Sequence, residues 1–169
     1  MRDDGGGPTP IDGSVGEDFE EYLFYLVTQV QNRRVRDFTP ELEALGLTIA
    51  HWRALSTVNR LAGCLMSELS EFTTVDRTTL TRTVDQLVEM ELVERCPTPD
   101  DRRTVRVQLT PHGRRLFDAS IARLEKHNQR LLAGFSAEEL CVLRALLQRL
   151  LCNIVSDDAL YRQVVSFSR

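Results

Sequence analysis

The chain has 169 residues, enough for one domain with a sizeable core plus a few accessory helices. Its 42% hydrophobic and 27% charged content is ordinary for a globular protein, and a net charge of −4 excludes a uniformly basic nucleic-acid binder. Four cysteines without a Cys-x-x-Cys pair suggest no zinc site. No apolar run reaches the roughly 18 residues needed to cross a bilayer. The N-terminus shows no basic region followed by an apolar run, so the expected setting is the cytoplasm, with reduced thiols and no membrane partner.

Residues 1–16 are rich in Gly, Pro and Asp and read as a disordered tail. A helix is predicted from Glu17 to Asp37, within an N-terminal segment 17–47. Its stripe of Phe19, Tyr22, Leu23, Leu26, Val27 and Val30 is widened by Phe24 and Tyr25. Arg33, Arg34 and Arg36 would then sit at its negative pole, and Thr39-Pro40 and Gly46 would bracket a loop or a short helical turn. Thr48 is the expected N-cap of the next helix, whose Ile49, Trp52, Leu55 and Val58 face inward. By phase, His51 is partly exposed.

The stretch from Leu65 to Thr110 organises the chain. Leu65, Leu69 and Phe72 mark one short helix; after a break, Val75, Leu80, Val84 and Leu87 mark a second. Arg77, Thr78, Thr79, Thr81 and Arg82 crowd the first turns of that second helix. Short hydroxyls and long guanidiniums there suit a helix whose N-terminal turns meet base edges in a DNA major groove. Glu91 stands where a left-handed residue would end the helix, a conformation costing a non-glycine about 1 kcal/mol, so a differently shaped ending is expected. Leu92–Arg95 and Thr104–Leu109 alternate with period two and predict a hairpin. The Cys96–Arg103 run between them, with two prolines and two aspartates, is a turn. Arg102 and Arg103 ride at its end, in reach of a phosphate or the minor groove, and Asp101 is placed to pair with Arg103 and orient the tip. Between Arg95 and Arg115 six arginines face two aspartates, a local basic patch in an acidic chain.

Thr110-Pro111 begins another helix running to about Ala133, and Ser136 to Glu139 is a capping box for a last one. That last helix, from Leu140 to Val155, carries too many leucines for a monomer's surface. With the first helix it reads as a homodimer interface. Cys141 and Cys152 are expected to be buried there and inert, and Cys96 to be exposed at the hairpin's base. Residues 111–158 are thus C-terminal dimerisation helices, and 159–169 a tail.

The run Asp101-Arg102-Arg103-Thr104-Val105-Arg106-Val107-Gln108-Leu109-Thr110 resembles the wing signature of MarR-type winged-helix regulators. Asp76 to Arg82 resembles that family's recognition-helix start, and Leu47-Thr48 with Trp52-Arg53-Ala54-Leu55 the helix before it. The resemblance spans roughly Glu17 to Val155. It implies a mostly α fold with a small β-wing: a winged helix-turn-helix lobe over residues 48–110 between dimerisation helices. It also implies a repressor that leaves its operator when a small aromatic or phenolic acid binds between lobe and dimerisation helices. Tyr22, Tyr25, His51, Trp52 and Arg53 fall on the helices lining such a cleft. A two-fold dimer with recognition helices about 34 Å apart would read a pseudo-palindromic duplex. Two other readings stay open: a thiol-based redox regulator, and a winged-helix dimer that binds proteins instead of DNA. No cofactor, metal or catalytic residue is expected, because the three histidines lack ligand spacing and no Gly-rich phosphate loop or Gly-x-Ser-x-Gly occurs.

Overall fold

The computed structural model describes residues 19–73, 75–97, 105–155 and 162. The elements run α1 (Phe19–Glu43), α2 (Ile49–Arg60), β1 (Cys64–Leu65), α3 (Met66–Thr73), α4 (Arg77–Glu89), β2 (Val93–Pro97), β3 (Val105–Leu109), α5 (Pro111–Leu131) and α6 (Ala137–Ile154). They fall into two compact units, one up to Asn128 and one from Gln129 onward.

In the first unit the core is centred on α2, α3, α4 and the sheet, with Phe38 and Leu42 of α1 and Phe117 and Leu124 of α5 joining it. Leu55, Val58, Leu69, Val84, Leu87 and Val107 are completely or almost completely buried there. Helix α4 contributes one face of Leu80, Thr83, Val84 and Leu87, the 3-and-4 spacing of a half-buried helix, and leaves its other face to solvent.

Helix α1 overruns its predicted end by six residues and passes through Pro40. The extra stretch buries Phe38 (3% exposed) and Leu42 (0%). Two such burials contribute about 1.5–3 kcal/mol each, which offsets the roughly 3 kcal/mol of a proline inside a helix. The helix closes past Glu43, where Leu47 N–H donates to the Leu42 carbonyl (2.9 Å) and Gly46 takes φ +72°. Arg33, Arg34 and Arg36 therefore lie inside the helix and not at its pole, and no basic residue occupies the last turn.

The sheet has three strands, one more than the hairpin read from the sequence. Its order is β1-β3-β2, all antiparallel. Two residues of β1 are too few to show an alternation, so only their pairing with Val107 and Arg106 reveals them. Cys96 and Pro97, expected in the turn, extend β2 opposite Arg106 and Val105.

The end of α4 corrects another expectation. Glu91 does take the left-handed conformation (φ +57°), and the ending has the usual shape despite lacking glycine. Leu92 N–H donates to Leu87 O and Glu91 N–H to Val88 O, both at 2.9 Å, with Leu87 and Leu92 buried beneath. The same junction holds the next helix. Thr110 Oγ1 donates to Glu91 O (2.6 Å) and accepts from Gly113 N–H (2.9 Å), capping α5, while Thr110 N–H donates to Leu92 O (3.1 Å). Gly113 rides so close to this backbone that a Cβ there would stand 1.8 Å from Leu92 O.

In the second unit α6 starts from the predicted capping box: Ser136 Oγ accepts from Glu139 N–H, and Glu139 Oε2 accepts from Ser136 N–H. Val142, Leu143, Leu146, Leu147, Leu151 and Ile154 are all exposed in the single chain, Ile154 by 71%. Cys141 and Cys152 are exposed in the single chain too. Eleven residues apart, they share a helix face roughly opposite Leu150, so they lie off the leucine stripe.

Candidate nucleic-acid interface

The surface in question is the N-terminal half of α4. Asp76 caps it, accepting from Thr79 N–H at 2.9 Å. Hydrogen bonds from the Thr79 side chain and backbone hold the Asp76 carboxyl below its ordinary value, so the cap stays ionised down to acid pH. Arg77, Thr78, Thr79, Thr81 and Arg82 are all exposed and lie within the first two turns. Thr79 donates its hydroxyl to Asp76, and Thr81 donates to Arg77 O (2.8 Å). Their protons being engaged, these two offer an acceptor oxygen and a methyl, a set that fits amino groups and thymine methyls better than phosphates.

Further along the same helix face lie two residues not singled out from the sequence. Asp85 pairs with Arg95 at 2.7 Å, joining α4 to β2. Gln86 Oε1 lies 3.0 Å from His51 Nε2 of α2. The spacing signals both, since Gln86 follows Arg82 by four residues; their partners are long-range and carry no local signal.

The basic patch read from the sequence is partly consumed by the fold. Arg95 is in its ion pair, Arg106 Nη2 donates to Gly63 O (2.6 Å), and Arg114 bonds Asn59 Oδ1. Arg115 is exposed on the first turns of α5. Arg102, Arg103 and Asp101, expected to form the tip of the hairpin, lie outside the described residues.

The five residues proposed from the sequence as a ligand pocket divide into two groups. Tyr22 and Tyr25 stack on each other (6.2 Å between centroids) on the exposed N-terminal half of α1. His51, Trp52 and Arg53 belong to α2. Trp52 packs edge-on against Phe38 of α1 at 5.5 Å, about 20 Å along that helix from Tyr25. His127 of α5 lies on the Phe38 ring at 6.1 Å. The buried Trp52 Nε1 and His127 Nε2 find no partner among the described residues. Nearby on the same helices, Arg34 Nε donates to Asn128 Oδ1 (3.4 Å), and burial lowers the guanidinium's pKa. His51, expected partly exposed, is buried at 8%: its Nδ1 accepts from Thr48 N–H while Thr48 Oγ1 accepts from His51 N–H.

Among the described residues no cluster of His, Cys, Asp or Glu could hold a metal, and no helix is long and apolar enough to cross a membrane. Burial raises the Cys64 thiol to about 11, with Glu68 adding to the rise, which makes it a poor nucleophile.

Two helices at a tight turn, the second with a solvated N-terminal face, and a three-stranded sheet whose last two strands follow them define a winged helix-turn-helix DNA-binding lobe. A profile described as MarR family matches residues 45–104. The multiple antibiotic resistance protein MarR of Salmonella typhimurium is 33% identical over 131 residues, covering 76% of this chain and 88% of that protein. A MarR-family transcriptional regulator from Silicibacter pomeroyi superposes with a TM-score of 0.73 at 31% identity, over 82% of this chain and 94% of its own. A cysteine-to-serine mutant of E. coli MarR, crystallised with operator DNA, superposes at 0.70 with 30% identity, over 79% and 96%. The chain belongs to the MarR family of transcriptional regulators and is not an enzyme.

Proposed function

We propose that the chain is a homodimeric repressor that binds a pseudo-palindromic operator and leaves it when a small effector binds. The observation that carries this reading is the exposed face of α4, where Arg77, Thr78, Thr79, Thr81 and Arg82 stand clear of the core. In it Arg82 reads a guanine as a bidentate donor, the threonines meet base edges, and Arg102 and Arg103 anchor the wing on the backbone or in the minor groove. The apolar faces of α1 and α6, exposed in the single chain, support a second copy as partner. The place of action is the cytoplasm, where the duplex is.

For the effector, the α2 end of the proposed pocket is the better supported. Trp52 supplies an aromatic wall, with Arg53 next to it in sequence, and the ring nitrogens of Trp52 and His127 are buried without a partner among the described residues. Nitrogen donors with an aromatic wall fit an aromatic acid. Its effect is a population shift: a ligand favouring the lobe arrangement that misfits DNA lowers affinity by its differential binding to the two states.

The test is selection from a randomised duplex library, followed by titration of the enriched duplex at rising salt. The expected result is an inverted repeat whose log affinity falls linearly with log salt, and Arg82→Ala loses the guanine preference at one position of each half-site. A chain that enriches no sequence at low salt is a protein-interaction module, and the reading fails.

A further inference from the structure

The His51–Gln86 contact fixes more than a distance. Thr48 N–H is a backbone donor and nothing else, so the His51 Nδ1 that faces it at 3.3 Å is an acceptor and carries no proton. In the neutral ring the proton is then on Nε2, which makes Nε2 the donor in the 3.0 Å contact. The Gln86 atom it meets is therefore the amide oxygen. The Gln86 side chain is exposed one turn beyond Arg82 on the face already assigned to DNA. With its oxygen turned into the protein, its NH₂ is the end left to face outward.

We propose that Gln86 is a base-reading residue and that His51 is the positioning residue that sets what it reads. Unconstrained glutamine pairs with adenine, using its oxygen on N6–H and its nitrogen on N7. Held by His51, Gln86 keeps its oxygen turned inward and presents its NH₂ to the groove. Adenine's N6 amino group would meet a donor with a donor, whereas guanine offers two acceptors, O6 and N7. The locked glutamine thus selects guanine over adenine at one base pair in each half-site. Since His51 also caps α2 through Thr48, the orientation is set by a helix end and not by a flexible loop. The inference rests on α4 entering the major groove, as proposed above.

The experiment takes the duplex enriched by the wild-type chain and competes it against every single base-pair substitution, for wild type, Gln86→Ala and His51→Ala. Wild type is expected to prefer guanine over adenine at one symmetry-related position by about tenfold. Gln86→Ala abolishes that preference and leaves the others. His51→Ala shifts the same position toward adenine, and the double variant matches Gln86→Ala. A uniform loss at all positions in Gln86→Ala overturns the proposal, because it means a backbone contact. So does an unchanged guanine preference in His51→Ala, which means a structural histidine only. Should His51→Ala fold poorly, long-range ¹H–¹⁵N spectra of the wild-type imidazole decide: a proton on Nδ1 at neutral pH refutes the orientation. Failure of the wild type to enrich any duplex is a different result, and it removes the DNA reading itself.

Discussion

Replacing Glu91 by glycine is expected to stabilise the chain. Glu91 holds φ +57° so that Leu92 N–H can reach Leu87 O and both leucines stay buried. An L-residue in that region costs roughly 1–2 kcal/mol. Glycine removes this strain but has more freedom to lose on folding, about 0.5–1 kcal/mol. The difference leaves a gain of about 0.5–1 kcal/mol for Glu91→Gly. Alanine keeps the strain, so Glu91→Ala is the control and changes stability little. Urea melts of the three proteins at one fixed protein concentration give the comparison, the fixed concentration removing mass-action effects of association. In a thermal melt the same gain is about 1–4 °C for a chain of this size. If Glu91→Gly is no more stable than Glu91→Ala, the left-handed ending is not strained, and the reasoning from φ is wrong.

Three other outcomes follow from the same geometry. Gly113→Ala puts a Cβ 1.8 Å from Leu92 O and forces the start of α5 away from the α4–β2 junction, so it destabilises by roughly 2 kcal/mol or more in a urea melt. Cys64, with its thiol raised to about 11 from 9, contributes stability that is whole below about pH 9 and declines as pH rises toward 11; Cys64→Ala flattens that decline in pH-dependent unfolding. In native protein treated with a thiol reagent, Cys64 reacts only at the unfolding rate, so Cys64→Ala removes one slow thiol and leaves the fast ones unchanged.

Much of the lobe was legible because its signals are local. Thr48, Ser136 and Thr110-Pro111 announce helix starts, and the structure has a cap at each. The exposed turns of α4 follow from the spacing of Leu80, Val84 and Leu87. What was misread depends on distant partners. Pro40 looked like a stop, but burial of Phe38 and Leu42 carries the helix through it. Glu91 looked unsuited to its place, yet Leu92 on Leu87 and the Thr110 hydroxyl hold it there. His51 is half-exposed by phase, and its partner Gln86, 35 residues away, carries no local signal. Arg95, Arg106 and Arg114 counted toward a basic patch until their partners Asp85, Gly63 and Asn59 were in view.

The most direct test of the dimeric DNA reading is a hydroxyl-radical footprint on the enriched duplex, with sedimentation equilibrium of the protein alone and of the complex. Two protomers in solution, two per duplex, and two protected patches about one helical turn apart are the predicted result. A monomer on DNA, or a single protected patch, contradicts it.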